Sequence, residues 1–198
     1  HKSPNFDKRK KGFLLKYIIL HYTAMQHKSE ALSHLCNKKN KVSTHFFINK
    51  SGQVYHLVNI HNRAWHAGIS FWRGQTDLNS QSIGIEIENS GHHLNFEHYT
   101  LKQISSLIKL LLHLCKKYNI NKKYILGHSD VAPYRKIDPG EKFPWKKLNK
   151  NSLSFTPTKL LIKILDQKNY NLDIFFSNKS KKKLSLQMME KIGYCVEP

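Results

Sequence analysis

Cysteine, acidic side chains and long apolar runs are all scarce in this 198-residue chain. The three cysteines, Cys36, Cys115 and Cys195, are odd in number and form no C-x-x-C pair. A complete disulfide framework is therefore excluded, and free thiols are expected. No apolar run approaches the roughly 20 residues that a membrane-spanning helix needs. The chain is nevertheless 39% hydrophobic, enough to bury one sizeable core.

Acidic residues number only 13 against 33 lysines and arginines, which gives a formal net charge of +20. Such an excess raises binding to nucleic acid, a membrane surface or an acidic polymer as a class of function. The lysines are spread along the whole chain, however, and no helix-turn-helix, zinc-knuckle or aromatic RNA-binding motif accompanies them. We interpret the charge as compositional background and expect no nucleic-acid partner.

The composition divides the chain into three parts. Residues 1–11 form a basic N-terminal arm, residues 12–150 carry the alternating apolar patterns of a folded domain, and residues 151–198 read as a polar linker with two short helices. Because the sequence opens on His1 rather than Met, we expect that an upstream segment, such as a signal peptide, has been removed or omitted.

The folded part alternates strand and helix patterns. A buried strand (FLLKYIIL) is followed by a short amphipathic helix over residues 29–37 with Ser29 as its N-cap, and then by a hairpin that turns near Gly52. The alternating strand SIGIEIEN precedes a helix over residues 100–118, which begins with a capping box of Thr100 and Gln103. This succession predicts an α/β fold.

The segment LGHSDVAPYRKIDPGEKFPW, residues 126–145, concentrates the chemistry. His128 follows a short strand and so emerges at the edge of the sheet. Pro133 and Pro139 restrain the backbone on either side of RKID, and an extended RKID would place Lys136 and Asp138 on the same side of the chain. An imidazole, a carboxylate and an ammonium directed to one point are typical of a catalytic metal site.

Catalytic zinc usually takes three protein ligands and keeps a fourth position for water. His21 ends a buried strand as His128 does, and it is the candidate third ligand. A core histidine with satisfied hydrogen bonds is the alternative interpretation for His21 taken alone. A structural zinc site is the alternative for the set, but such sites close all four positions, usually with cysteines. No cysteine lies near these residues in the sequence.

Two further features leave alternatives open. Glu86 and Glu88 lie on the same face of the SIGIEIEN strand, and either could be a general base or a solvated surface group. The long loop that follows the hairpin is rich in aromatic residues. It either lines a groove for a sugar or peptide or packs over the edge of the sheet; its residues of interest are Trp65, His66, Phe71, Trp72 and Arg73.

Five motifs in order, ILHYTA, VSTHFFINKSGQVYHLV, AWHAGISFWRG, SIGIEIEN and GHSDVAPYRKIDPGEKFPW, carry a family resemblance over roughly residues 12–150. The chain resembles the zinc-dependent N-acetylmuramoyl-L-alanine amidases (type 2 amidase domain), whose fold is shared with peptidoglycan recognition proteins. It is most similar to the cell-wall recycling and envelope amidases. The resemblance implies an α/β fold with a central mixed β-sheet flanked by helices and a small C-terminal helical extension.

The resemblance also implies a function. His21, His128 and Asp138 would bind one Zn²⁺, with Glu86 as the catalytic carboxylate and Lys136 as the cation beside the reacting carbonyl. The enzyme would hydrolyse the amide between N-acetylmuramic acid, including its 1,6-anhydro form, and L-alanine.

Its partners would be peptidoglycan or muropeptide fragments. The resemblance implies that His45 and His66 lie near the groove. Together with Trp65, Trp72 and Arg73 of the aromatic-rich loop, they are the candidate substrate-binding residues. The bacterial cell envelope or periplasm is the favoured compartment and the cytoplasm the alternative. A non-catalytic peptidoglycan-binding module on the same fold is the rival function.

Overall fold

The computed structural model describes residues 1–12 and 14–154. These residues form seven strands and five α-helices. The strands are β1 (Phe6–Lys8), β2 (Tyr17–Tyr22), β3 (Phe46–Ile48), β4 (Val54–His56), β5 (Asn62–Ala64), β6 (Ser82–Ile87) and β7 (Ile125–Gly127). The helices are α1 (Lys28–Cys36), α2 (Leu78–Gln81), α3 (Leu101–Tyr118), α4 (His128–Val131) and α5 (Trp145–Asn149). Single 3₁₀ turns occur at Lys38–Asn40, His92–Leu94 and Lys122–Tyr124.

The central sheet has five strands in the order β4-β3-β6-β2-β7. The pairs β3–β6, β6–β2 and β2–β7 are parallel, whereas β4 runs antiparallel to β3 at one edge. The sheet is therefore mixed, and with its flanking helices it confirms the predicted fold class. A separate two-stranded antiparallel sheet joins β1 to β5.

Alternation along the strands divides the core between the two faces of the sheet. Ile83, Ile85 and Ile87 of β6 are fully buried in the cluster that contains the apolar stripe of α3. On β2, Ile18 faces this cluster, and its neighbour Ile19 packs in a second cluster on the other face. The capping box predicted at the start of α3 is present.

The start of α1 differs from the prediction. The helix begins at Lys28, and His27 occupies the N-cap position with extended backbone and no side-chain hydrogen bond to the helix. Ser29 lies within the first turn, so its assignment as the N-cap was wrong. Glu30 in this turn places negative charge near the exposed N–H groups, which stabilises a helix start without a capping side chain.

The basic N-terminal arm packs against the domain. The Ser3 hydroxyl donates to the carbonyl of Leu35 at 2.6 Å, and the Asn5 amide donates to the carbonyl of Val42 at 2.9 Å. Beyond residue 154, the linker and helical extension predicted for residues 151–198 lie outside the described residues.

Arg9 anchors this arm with a largely buried guanidinium. Its nitrogens donate to the carbonyls of Ile60 at 2.8 Å, Asn79 at 3.0 Å, Ser80 at 2.9 Å and Ser82 at 3.0 Å. Burial, with a smaller contribution from Arg63, lowers the pKa of Arg9 to about 10, so the group remains charged at neutral pH. One cation therefore satisfies the backbone of α2 and the start of β6.

We predict that Arg9→Met destabilises the fold because these buried carbonyls lose their charged donor. The expected loss in the free energy of unfolding is about 3 kcal/mol, measured by chemical denaturation. Lys8→Met, at an exposed neighbouring position, is the control and should change this free energy little. Equal stability of the two variants would contradict the anchoring role of Arg9.

Candidate metal centre

Three parallel strands direct functional side chains to the same edge of the sheet. His21 of β2 and Glu86 of β6 are register neighbours near the carboxyl ends of their strands. His128 directly follows β7, the strand on the other side of β2. Because the carboxyl ends of parallel strands meet at one edge, these residues from distant parts of the sequence converge there.

Asp138 completes a group of three potential metal ligands with His21 and His128. The two Nδ1 atoms are 2.9 Å apart, and each lies 3.1 Å from Oδ2 of Asp138. All three residues are buried. Tetrahedral ligands at zinc, with bonds of about 2.0–2.1 Å, lie about 3.3 Å apart, so the donor atoms are spaced as a single metal ion requires.

Electrostatics favour a neutral imidazole at His21 and an ionised carboxylate at Asp138. Burial, followed by repulsion from His128, lowers the pKa of His21 to about 4. Burial alone would raise the pKa of Asp138, but the adjacent imidazoles of His128 and His21 outweigh it and lower that pKa below its usual range. A neutral imidazole and an ionised carboxylate are the forms that coordinate metal ions.

The ring nitrogens of both histidines that point away from the centre also have partners. Nε2 of His128 lies 3.1 Å from the carbonyl oxygen of Ala67, and Nε2 of His21 lies 3.1 Å from Nδ1 of His66. Such outer hydrogen bonds fix which nitrogen faces a metal. The residues therefore fit one bound zinc ion, with each Nδ1 atom and the carboxylate directed inward.

Glu86 is partly buried beside this group and lines the same cavity of about 340 Å³. Its Oε2 atom is buried and has no hydrogen-bond partner among the described residues. Burial, followed by repulsion from Asp138, raises the pKa of Glu86, and the charge of Lys136 opposes this shift. A carboxylate with a raised pKa and an open lone pair is suited to accept a proton in the cavity.

Glu88, the alternative on the same strand face, has a structural contact instead. Its carboxylate accepts a hydrogen bond from the backbone N–H of Lys50 at 2.7 Å, and its carbonyl accepts one from the Gln103 side chain. Glu88 thereby ties the β3–β4 hairpin to the end of β6. The strand alternation predicted the shared face correctly but could not distinguish these two roles.

Lys136 and Asp138 both line the cavity, as the sequence predicted, but the backbone that places them is not extended throughout. The N–H groups of Arg135 and Lys136 both donate to the carbonyl of Ala132, so residues 133–135 form a turn. The expectation of an extended RKID was therefore wrong for Arg135. The turn brings Arg135 itself to the cavity wall.

Of the five predicted substrate-binding residues, His66 alone lines this cavity. Trp72 is buried in the core cluster that contains Ile19. The Trp65 indole donates to Asp7 of the N-terminal arm at 2.7 Å, and the Arg73 guanidinium lies over the ring of Tyr124, 5.7 Å from its centre. Trp65, Trp72 and Arg73 thus have contacts within the protein, and their assignment to substrate binding stays a prediction.

His45 is the fifth of these residues and is fully buried behind β6. Its Nδ1 atom accepts a hydrogen bond from the N–H of Gly84 at 3.0 Å, and its Nε2 lies 3.1 Å from the carbonyl oxygen of Asn62 and 2.9 Å from the Arg9 guanidinium. Burial, with repulsion from Arg9 second, lowers the pKa of His45 to about 3.

The remaining walls of the cavity include residues that the sequence did not single out. Tyr22, His34 and His93 belong to three different segments that meet only in the folded chain. The position of Tyr22 next to His21 is a signal that could have found it. His34 lies on a helix whose pattern indicated only packing, so no local signal marked it.

Two buried imidazoles, a buried carboxylate and an adjacent second carboxylate in an open cavity define the class of a metal-dependent hydrolase site on an α/β fold. Residues 11–141 match the family described as N-acetylmuramoyl-L-alanine amidase. The chain belongs to this family. The family resemblance stated from the sequence is thereby confirmed.

Two curated relatives show how far the similarity extends. The chain is 37% identical over 155 residues to the N-acetylmuramoyl-L-alanine amidase AmiD of Escherichia coli (strain K12), with 72% of this chain and 55% of AmiD covered. It is 34% identical over 163 residues to the 1,6-anhydro-N-acetylmuramyl-L-alanine amidase AmpD of Haemophilus influenzae, with 73% of this chain and 86% of AmpD covered. The chain thus spans about half the length of AmiD and most of AmpD.

Solved structures agree with the sequence relatives. The complex of E. coli AmiD with anhydro-N-acetylmuramic acid-L-Ala-D-γ-Glu-L-Lys has a TM-score of 0.75 and 29% identity, covering 96% of this chain and 77% of AmiD. Pseudomonas aeruginosa AmpDh3 in complex with an anhydromuramic pentapeptide has a TM-score of 0.76 and 27% identity. The match covers 100% of this chain and 79% of the AmpDh3 chain. None of the helices within residues 1–12 and 14–154 has the length and apolarity needed to cross a membrane.

We predict that His45 makes the fold labile to acid. Its pKa in the folded protein lies below the value of about 6.5 in the unfolded chain, so below that pH the unfolded chain binds a proton that the folded protein does not. The free energy of unfolding should therefore fall by about 1.4 kcal/mol per pH unit from this group as pH decreases from about 6 to about 4.

His45→Gln should remove this contribution, so that its stability and that of the parent converge as pH falls. Chemical denaturation of metal-free protein across this range measures the effect. His113→Gln, at an exposed position on α3, is the matched control. Parallel curves for the parent and His45→Gln would contradict the assignment.

Proposed function

We propose that this protein is a zinc-dependent amidase that hydrolyses the amide bond between N-acetylmuramic acid and L-alanine of a peptidoglycan stem peptide. The observation that carries the proposal is the convergence of His21, His128 and Asp138 beside Glu86. Glu86 lines the same cavity, and its buried Oε2 has no hydrogen-bond partner among the described residues. Family membership supports it, since the relatives are named as amidases of this bond.

His21 and His128 through Nδ1 and Asp138 through Oδ2 would hold the metal. Zinc bound there would supply a water of lowered pKa and a Lewis acid that polarises the scissile carbonyl. Glu86 accepts a proton from the attacking water and delivers it to the leaving nitrogen of alanine. Lys136, on the wall of the same cavity, stabilises the negative charge that develops on the carbonyl oxygen.

The two rival functions fit the site less well. A non-catalytic peptidoglycan-binding module needs neither a metal nor a proton acceptor, and this cavity has groups suited to both. A structural zinc site has four protein ligands and no access for water. Here three candidate ligands lie at an open cavity with a carboxylate and an ammonium beside them.

The same relatives support a choice of substrate form. AmpD is named for the 1,6-anhydro form of the sugar, and the ligands of the AmiD and AmpDh3 structures are anhydromuramyl peptides. We therefore include anhydromuropeptides among the substrates of this protein. We favour the bacterial cell envelope or periplasm as the site of action, with the cytoplasm as the alternative.

We predict that Glu86→Gln lowers kcat by at least about 100-fold because the amide cannot accept the water's proton. Zinc content, measured by mass spectrometry of the purified protein, should remain at one ion per chain. Glu88→Gln is the matched control, because this second carboxylate of the strand contacts the hairpin and should affect stability more than kcat. Retention of most activity by Glu86→Gln would refute the role of Glu86.

We further predict that His128→Ala loses bound zinc, because two side chains cannot hold the ion as three do. Metal content per folded chain is the measurement. His56→Ala, on β4 and outside the cavity, serves as the control. A full zinc complement in His128→Ala would remove His128 from the ligand set.

The reaction itself is tested with defined anhydro and non-anhydro muropeptides, incubated with and without a chelator and analysed by mass. We expect release of the stem peptide only when metal is available. Binding of muropeptide with no release by metal-loaded protein would favour the binding-module alternative. The ratio of the rates of stem-peptide release from the anhydro and non-anhydro muropeptides defines the preferred form of the sugar.

A further inference from the structure

The outer nitrogens of both candidate histidine ligands contact two consecutive residues of the chain. Nε2 of His21 meets Nδ1 of His66 at 3.1 Å, and Nε2 of His128 meets the carbonyl of Ala67 at 3.1 Å. This two-residue segment immediately follows Trp65 in the long loop. A single short stretch of backbone is thereby in contact with two ligands that come from different strands.

The hydrogen bonds behind His21 have a defined direction. When Nδ1 of His21 faces a metal, its proton is on Nε2, so Nδ1 of His66 must accept it. The proton of neutral His66 is then on Nε2, which lies 3.3 Å from the Ser82 hydroxyl. That hydroxyl donates onward to the carbonyl of Leu78. Each donor in this series of hydrogen bonds has one acceptor. If the proton of His66 were on Nδ1 instead, it would face the Nε2 proton of His21, and two donors would meet.

The segment of His66 and Ala67 is itself fixed from behind. Both backbone N–H groups donate to Oδ1 of Asn79, at 3.0 Å and 2.8 Å. Asn79 is 7% exposed, and its own carbonyl accepts from the anchored guanidinium of Arg9. The loop is thus attached to α2, and α2 is attached to the N-terminal arm.

Two close contacts restrict the segment further. A Cβ atom at Gly84 of β6 would lie 2.4 Å from the ring of His66, so that ring packs directly on the backbone of β6. The carbonyl of Ala67 also accepts from the Arg135 guanidinium at 2.9 Å. One face of the ring is thus held against the strand, and both lone pairs of the carbonyl of Ala67 are occupied.

We propose that His66 and Ala67, held by Asn79, are positioning residues that fix the orientation and tautomer of both histidine ligands. His66 then acts through His21 rather than by contacting substrate. The inference depends on the zinc site proposed above and assigns to the aromatic-rich loop the role of supporting that site. Ligating histidines usually donate to a carboxylate, a carbonyl or water, so an imidazole that accepts from His21 is specific to this arrangement.

The test compares zinc affinity in three variants by competition with a chromogenic chelator, without substrate. His66→Phe keeps the ring and removes the acceptor, and it should weaken zinc binding by about 10- to 100-fold. His66→Asn places an amide oxygen near the former Nδ1 position and should restore most of the affinity. His56→Phe, a histidine-to-phenylalanine change on β4, is the control and should bind as the parent does.

Ring protonation provides a second measurement that a merely structural role would not affect. Long-range ¹H–¹⁵N spectra of the zinc-loaded parent should show the proton on Nε2 in His21, His66 and His128. A proton on Nδ1 of His66 would overturn the proposal, even if His66→Phe failed to fold. Equal zinc affinity of folded His66→Phe and the parent would also overturn it.

These measurements separate this inference from the proposed reaction. If the protein binds zinc but cleaves no muropeptide, the proposed function fails while the ranking of zinc affinities still tests His66. If the parent hydrolyses its substrate and His66→Phe binds zinc normally, the function stands and the positioning role fails.

Asn79→Leu should also lower zinc affinity, as His66→Phe does, because the backbone of the segment loses its shared acceptor.

Discussion

Burial of two imidazoles and a carboxylate within 3.1 Å of one another is the constraint on which the rest of this structure depends. Buried polar atoms that lack partners are costly, so each atom of the group needs a specific contact. The inward atoms face one another, and the outward nitrogens are satisfied by the segment of His66 and Ala67. That segment must be held rigidly in turn. The side chains of Asn79 and Arg9, far apart in the sequence, supply this support.

The topology explains why the group forms where it does. β2 lies between β6 and β7 and is parallel to both, so the carboxyl ends of all three strands meet at one edge. His21 and Glu86 are opposite each other in register, and His128 begins the helix after β7. Apolar side chains on both faces of β2 keep these ends fixed relative to one another. Packing in the sheet therefore fixes where His21, Glu86 and His128 meet, while the loop supplies the outer contacts of the two histidines.

Much of the site could be predicted from the sequence because strand ends are a local signal. His21 and His128 each follow an apolar run, and a shared edge is a consequence of the α/β pattern. The alternation of side chains along the strand could not distinguish Glu86 from Glu88, because the two differ in their surroundings. Glu86 lines the cavity, whereas Glu88 binds the hairpin. Trp72 presented the same difficulty. The local sequence of an aromatic-rich loop is the same whether a side chain packs in a core, as Trp72 does, or lines a groove.

The contacts of the few acidic residues help to explain the net charge of +20. Within the described part of the chain, nearly every carboxylate has a specific contact. Asp7 and Asp77 bind Arg63, Glu88 binds the hairpin backbone, Glu97 binds Lys50, Asp130 binds the N–H of Gly127, and Glu141 binds His92. Glu86 and Asp138 belong to the proposed centre. Most acidic side chains within residues 1–12 and 14–154 thus lie where a contact or the proposed chemistry uses them. An excess of basic residues spread along the whole sequence does not by itself indicate a binding face.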